Sequence, residues 1–299
     1  MSAPKLGFIG FGEAAYLIAK GLGEEGLTGI HAYDVGLDDP SRRGLITERA
    51  GDAGVSLAAS TQELIASSDI VIAAVTSSVA HAVAEDAAAH LTNQHIYIDI
   101  NSVSPAVKIE IGSLIAKTKA AFIEVSVMAA VPKFKHKVPM VLCGPSAPKI
   151  IEAMKPYGMV MEDFGPEFGK AAAFKMFRSI MVKGMEGLLF ETVLAASKYD
   201  IADRVLDSVE EGYPGIDWKA LATYLIGRTA IHGERRAHEM MEVSATLKAL
   251  DIDPIMAEAA ARRIKWGADW NLREEFNDQA PESFHDVIKA IENRQGRSR

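Results

Sequence analysis

The stretch KLGFIGFGEAAYLIAKGL, residues 5–22, decides how the rest of the chain is read. Residues 6–9 form a short apolar run, the pattern of a buried strand, and Gly10-Phe11-Gly12 follows as a tight turn. Beyond it Ala15, Ile18, Ala19 and Leu22 recur with the period of a helix, expected over residues 14–22. Strand, glycine turn and helix in the form G-x-G-x-x-A make a cradle for an anion. Gly10 and Gly12 leave the backbone bare, and the free N–H groups and dipole of the helix start favour a pyrophosphate. Ala15 is small enough for the helix to pack closely on the strand. Residues 29–33 predict a second strand that ends in Asp34, about 20 residues past the glycines, where a carboxylate accepts from a ribose 2′-hydroxyl. An ordinary strand-to-helix turn would use the same glycines, but the whole series favours a dinucleotide.

Past Asp34, residues 35–43 are expected to be irregular. Arg42-Arg43 could hold a 2′-phosphate and so favour NADP, or could simply open a solvated helix; Asp34 would repel that phosphate and favours NAD. Residues 61–64 predict a short helical patch and residues 69–75 a continuously apolar strand, covered on both faces. Helix is expected over 79–90 and further strands over 95–100, 121–127 and 138–143. Repeated strand–helix order implies a parallel sheet with right-handed crossovers, whose ligands lie beyond the strand C-termini. Gly10, Phe11, Gly12, Glu13, Ala14, Asp34, Val75, Thr76, Asn101 and Ser102 then share one edge. The basic loop 132–137 reads as an exposed turn or an anion contact. Near residues 165–169 the alternation stops. A proline-free helix is expected over 170–198, with Phe174, Phe177, Met181, Leu188 and Val193 on its apolar side. Everything readable beyond it is helical, up to a polar tail over 293–299 that is expected to fray. The predicted architecture is α/β: a Rossmann-type domain over 1–165 and an all-α domain over 166–299.

Composition excludes several classes. At 48% hydrophobic and 24% charged residues the chain is of ordinary globular type, and its net charge of −8 with no basic stripe argues against a nucleic-acid partner. No run reaches the ~18 apolar residues of a membrane span, and Gly12 and Glu13 break the N-terminal run before it could act as a signal segment. The single cysteine, Cys143, reads as a small buried hydrophobe and fits a reducing, cytoplasmic setting. No metal site is expected.

On the long helix Lys175, Ser179 and Lys183 stand at i, i+4 and i+8, one polar line close to the helix start. A lysine partly withdrawn from water beside another cation loses basicity and can exchange protons near neutral pH. Lys183 is expected to act on Lys175 in that way. Dehydrogenation needs such a group, because a base must take the hydroxyl proton as hydride leaves carbon; a solvated face is the plainer reading of the same stripe.

Taken together, Gly10-Phe11-Gly12-Glu13-Ala14-Ala15, Asp99-Ile100-Asn101-Ser102-Val103-Ser104-Pro105 and Gly169-Lys170-Ala171-Ala172-Ala173-Phe174-Lys175-Met176 resemble the β-hydroxyacid dehydrogenases, the superfamily of 3-hydroxyisobutyrate and 6-phosphogluconate dehydrogenases. The resemblance implies a nicotinamide coenzyme, Lys175 as general acid/base, Ser179 orienting the hydroxyl, Asn101 and Ser102 bordering nicotinamide and substrate, a site between the two domains, and a homodimer. Departures bear on the substrate. Met128-Ala129-Ala130 stands where the family has Ser-Gly-Gly for a carboxylate, and Val182 where the 6-phosphogluconate branch has a glutamate. The segment RTAIHGERRAHEM, residues 228–240, resembles a branch with a little-characterised C-terminal helical domain. Its His232 and Arg235, with Lys183, could reach a substrate carboxylate or phosphate, or Arg235–Glu239 could be an i,i+4 pair worth a few tenths of a kcal/mol. Trp266 and Trp270 read as packing or dimer interface. The expected reaction is hydride transfer between NAD(P) and a hydroxyl carbon of a small acid. An imine or ketone reductase and a non-catalytic dinucleotide-binding protein are the alternatives.

Overall fold

The computed structural model describes residues 4–297. Contacts divide the chain into two compact units, Met1–Lys175 and Met176–Arg299, so the division falls inside the long helix and not before it at 165/166.

The first unit alternates strand and helix: β1 (Leu6–Ile9), α1 (Glu13–Glu24), β2 (Ile30–Tyr33), α2 (Pro40–Ala53), β3 (Ser56–Leu57), α3 (Thr61–Ala66), β4 (Ile70–Ala73), α4 (Ala80–Ala88), β5 (Ile96–Asp99), α5 (Pro105–Ala116), β6 (Ala121–Val127), α6 (Val131–Phe134), β7 (Met140–Cys143), α7 (Ala147–Met154) and β8 (Met161–Asp163). Among the described residues the strands form one sheet in the order β3-β2-β1-β4-β5-β6-β7-β8. The first six are parallel, as the alternation requires; β7 pairs antiparallel with β6, and β8 runs parallel to β7. Both faces are buried. Leu6, Phe8, Ile70 and Ile72 meet Ile18 and Leu22 of α1 on one side, and Val71, Tyr97 and Phe122 meet Ile111 and Ile115 of α5 on the other. That is why the strands read as continuous apolar runs.

Local chemistry sets the helix starts. Ser104 caps α5 by accepting the Val107 N–H, with Pro105 in its first turn, where a missing donor costs nothing. The stretch expected to be irregular, 35–43, is instead a single turn of 3₁₀ helix (Val35–Asp38) and the start of α2, capped by Asp39. Two short strands, β3 and β8, were too brief to show a period. The lysines of loop 132–137 are largely spoken for: Lys135 pairs with Glu24 and Lys137 with Glu25, each at 2.7 Å. Cys143 is fully buried in β7, and burial, then the nearby Glu124 charge, push its thiol up to about 11.

The helix α8 (Lys170–Ser197) opens at the end of the first unit and continues into the second, which adds α9 (Ala202–Gly212), α10 (Trp218–Lys248), α11 (Ile255–Ala268) and α12 (Phe284–Arg297). α12 includes residues 293–297 of the tail expected to fray; the last two residues lie outside the described range. Phe190 and Trp266 pack edge to face in the helical core, as do Trp266 and Trp270. The apolar side assigned to α8 needs correction. Phe174, Phe177, Met181 and Leu188 are exposed, and only Val193 of that set is buried. The inner stripe of α8 instead carries Met176, Lys183, Glu186, Phe190 and Val193. Paired charges occupy places that apolar residues were expected to take. Among the described residues no helix is long and apolar enough to cross a membrane.

Candidate active site

In the first unit the candidate residues line the C-terminal edge of the parallel strands, where the strand order reverses between β1 and β4. Gly10 follows β1 with φ +85°, and a Cβ there would come within 2.5 Å of the Ala74 carbonyl and 2.7 Å of Val75. Only glycine fits. A Cβ on Gly12 would meet nothing within 4 Å, and no side chain caps α1. Open space therefore lies against an uncapped helix start, beside Glu13 and Ala14, which suits a pyrophosphate. Phe11 serves differently from expectation: its ring is wholly buried against Phe8, and its N–H is donated to Asp34 Oδ2 at 2.8 Å.

Asp34, at the end of β2, is only 7% exposed. Its Oδ1 accepts from the Gly36 N–H at 2.7 Å and faces the Arg42 guanidinium at 3.3 Å. The carboxylate expected for the ribose also ties the glycine turn to the next loop, and Arg42 offsets the charge that would repel a 2′-phosphate. Arg43 is turned away, onto the Leu37 carbonyl at 2.6 Å.

After β4 and β5 the chain is cross-linked by one amide. Asn101 Oδ1 accepts from the Val75 N–H at 2.7 Å, and its own N–H is donated to Asp99 Oδ1 at 2.7 Å. The first bond fixes which end of the side-chain amide is oxygen. Asn101 Nδ2 is buried and has no partner among the described residues, a donor to spare at this edge. Thr76 is exposed, its hydroxyl 3.2 Å from that of Ser78. Beside Asn101 the exposed Ser102 hydroxyl accepts from the Lys175 ammonium at 2.7 Å. Lys175, in the second turn of α8, is thus directed to the strand edge that carries the glycine turn. At the end of β6, Met128 is half-buried among Val141, Cys143 and Ala171, and Ala129 and Ala130 are exposed.

The candidates of the second unit form a network of their own. The Lys183 ammonium sits 2.7 Å from Glu239 and donates to the Ser179 hydroxyl at 3.4 Å. Arg235 pairs with the same carboxylate. Burial works against the Glu239 charge, but Lys183 and Arg235 outweigh it and hold the carboxyl below its usual range. Deeper in, Glu186 accepts from the Thr229 hydroxyl at 2.6 Å and from Arg236 in a bidentate pair. Lys183, expected to act on Lys175, thus has a carboxylate partner of its own. His232 adopts non-helical angles (φ −127°, ψ 16°) and kinks α10; desolvation, then Arg235, Arg228 and Arg236, push its imidazole below the usual range.

Sequence reasoning missed three buried charges at the first site: Asp99, Lys108 and Glu124. The available signal was a lysine and a glutamate inside otherwise apolar elements. Among the described residues no cluster of three or more His, Cys, Asp or Glu could hold a metal.

Two family profiles match parts of this chain. One described as NADP oxidoreductase, coenzyme F420-dependent, covers residues 5–102, and one described as a domain of unknown function (DUF1932) covers 196–267. A conserved hypothetical protein from Sinorhizobium meliloti is 35% identical, with 98% of this chain and 97% of that one covered and a TM-score of 0.83. The conserved protein MTH1747, whose structure revealed similarity with 3-hydroxyacid dehydrogenases, is 31% identical over 91% of this chain and 98% of that one, with a TM-score of 0.74. The chain belongs to the β-hydroxyacid dehydrogenase superfamily, in the branch with the uncharacterised helical domain. Mycobacterium tuberculosis 3-hydroxyisobutyrate dehydrogenase, solved with L-serine, shares the fold at 17% identity, with 96% and 99% of the chains covered and a TM-score of 0.73. Membership of this superfamily supports a dinucleotide-dependent oxidoreductase.

Proposed function

We propose that the protein catalyses reversible hydride transfer between NAD(P) and the hydroxyl carbon of a small hydroxyacid, with Lys175 as general acid/base. The observation that carries this reading is the Lys175 ammonium held 2.7 Å from the Ser102 hydroxyl, beside Asn101 and on the strand edge that bears the glycine turn. A substrate hydroxyl could displace or join that contact and pass its proton to the amine.

The coenzyme, when bound, supplies the hydride acceptor. The bare turn at Gly10 and Gly12 and the amides of Glu13 and Ala14 would hold its phosphates. Asp34 would hold its adenosine ribose, with Val75, Thr76 and Asn101 along the same edge. Asp34 favours NAD, and Arg42 beside it admits NADP. Met128, Ala129 and Ala130 offer no hydroxyl to a carboxylate, so the substrate class stays broader than the short acids of the named relatives. Ser179 is assigned to orientation of the hydroxyl, and Lys183, His232 and Arg235 to recognition of an acidic substrate. Lys183 and Arg235 share Glu239, so they would act as a partly neutralised pair.

A homodimer accords with this reading. Phe174, Phe177, Met181 and Leu188 make an exposed apolar line on α8, at spacings of three, four and seven. The protein is assigned to the cytoplasm on its single buried thiol.

Titration with NADH and NADPH, followed by a panel of 2- and 3-hydroxy acids scored by coenzyme reduction, tests the function. Lys175→Met should lower turnover by at least the ~10² expected of a lost acid/base, with coenzyme affinity little altered. Near-normal turnover in that variant would remove Lys175 from the chemistry.

A further inference from the structure

Glu124 stands in the fourth place of β6 and is 0% exposed. Its two oxygens do separate jobs. Oε1 accepts the Ala172 N–H at 2.7 Å, and Oε2 accepts the Gly169 N–H in a shorter contact. Gly169 immediately precedes α8 and Ala172 is its third residue, so these are two of the amides that a helix start leaves without partners. In a capping box the side chains of the cap and third residues satisfy both amides reciprocally. Gly169 and Ala172 have no side chain able to do so. At φ +93° position 169 favours glycine, and one carboxylate from the sheet replaces the whole device.

The same buried layer reaches the partner of Lys175. Asp99 and Glu124 are register partners on β5 and β6. Lys108, also 0% exposed, donates to the Asp99 carbonyl at 2.8 Å and the Val125 carbonyl at 3.2 Å, and its ammonium lies 3.1 Å from Asp99 Oδ1. Asp99 Oδ1 in turn holds the Asn101 N–H, one residue before Ser102. Ser102 is thus fixed from Asp99, and the turn that leads to Lys175 is fixed from Glu124.

We propose that Glu124 is a positioning residue for Lys175: it clamps the first turn of α8 to the sheet and so holds the amine on the Ser102 hydroxyl. This rests on the reading of Lys175 as the acid/base. Burial raises the carboxyl of Glu124 above its usual range, against the two amides and Lys108, and Asp99 adds to the rise.

The test is the reactivity of Lys175 in the full chain with Glu124→Gln. Glutamine keeps the volume but can accept only one of the two N–H groups. Competitive acetylation with acetic anhydride between pH 6 and 11, read by mass spectrometry, follows Lys175 with Lys170 as internal reference. Exchange of the Gly169 and Ala172 amides is followed in parallel. The expected result is amide exchange faster by about 10-fold or more and a Lys175 labelling rate changed by about 3-fold or more. Lys170 labelling and NADPH affinity should stay within about 2-fold. Lys175 labelling unchanged relative to Lys170, with the amides loosened or not, would overturn the proposal. Should the glutamine variant fail to fold, Glu124→Asp is read by the same criteria: it keeps the charge and shortens the reach. Turnover by Lys175→Met judges the catalytic reading separately, since its failure leaves the labelling result standing.

Discussion

Single side chains at the glycine turn carry separable effects. Glu13 opens α1 exposed, next to the bare Gly12. A carboxylate at a helix N-terminus stabilises the empty helix, but it faces the charge of any phosphate seated there. Glu13→Gln should therefore tighten dinucleotide binding, by about 3–10-fold at low salt, with the gain shrinking as the ionic strength rises. Fluorescence titration with NADPH at two salt concentrations checks this, and weaker binding in the variant would place the phosphates elsewhere. The turn itself was legible because its requirements are written in residue type. A Cβ at position 10 would strike the Ala74 carbonyl, and no residue but glycine answers that. The task of Asp34 was half legible. Its place at the end of β2 follows from spacing, but its bonds to Phe11, Gly36 and Arg42 depend on a fold that brings residues 23, 2 and 8 positions away onto one carboxylate.

At the level of elements, the sheet and α8 were foreseeable and the inner face of α8 was not. Parallel strands covered on both sides announce themselves as unbroken apolar runs; the antiparallel turn-back at β7 has no such mark, since a run of four reads alike in either direction. On α8 the apolar line at Phe177, Met181 and Leu188 suggested a core face, whereas the buried positions hold Lys183 and Glu186, each neutralised by α10. Pairing across helices decided burial there, and the partners stand some 50 residues away. Two consequences can be measured. Glu186→Ala leaves Arg236 buried without its counter-charge and should cost about 3–5 kcal/mol, seen as a lower urea midpoint for the second unit. For Glu239 the sign is that of a depressed carboxyl. Its contribution is complete above the unfolded value near 4.5 and is lost as pH falls through the lower folded value. The difference in urea midpoint between wild type and Glu239→Gln should thus be greatest near neutrality and close in acid. A gap that widens in acid would reverse the assignment.

For the molecule as a whole, the two units share one continuous helix yet have separate cores, and only the first contains a sulfhydryl. Cys143 is enclosed in β7 with a thiol pushed up to about 11, so in the folded sheet at pH 7 roughly one molecule in ten thousand would carry the reactive thiolate. A disulfide dye should consequently ignore the native protein and react only when the sheet comes apart. Saturating coenzyme, which binds the closed form, should slow the reaction by a factor of about 1 + [L]/Kd, near 100-fold at a hundred times Kd. Prompt reaction without denaturant would contradict the enclosed thiol. One atom of sulfur thus serves as a natural stopwatch for the nucleotide half, silent to whatever the helical half is doing.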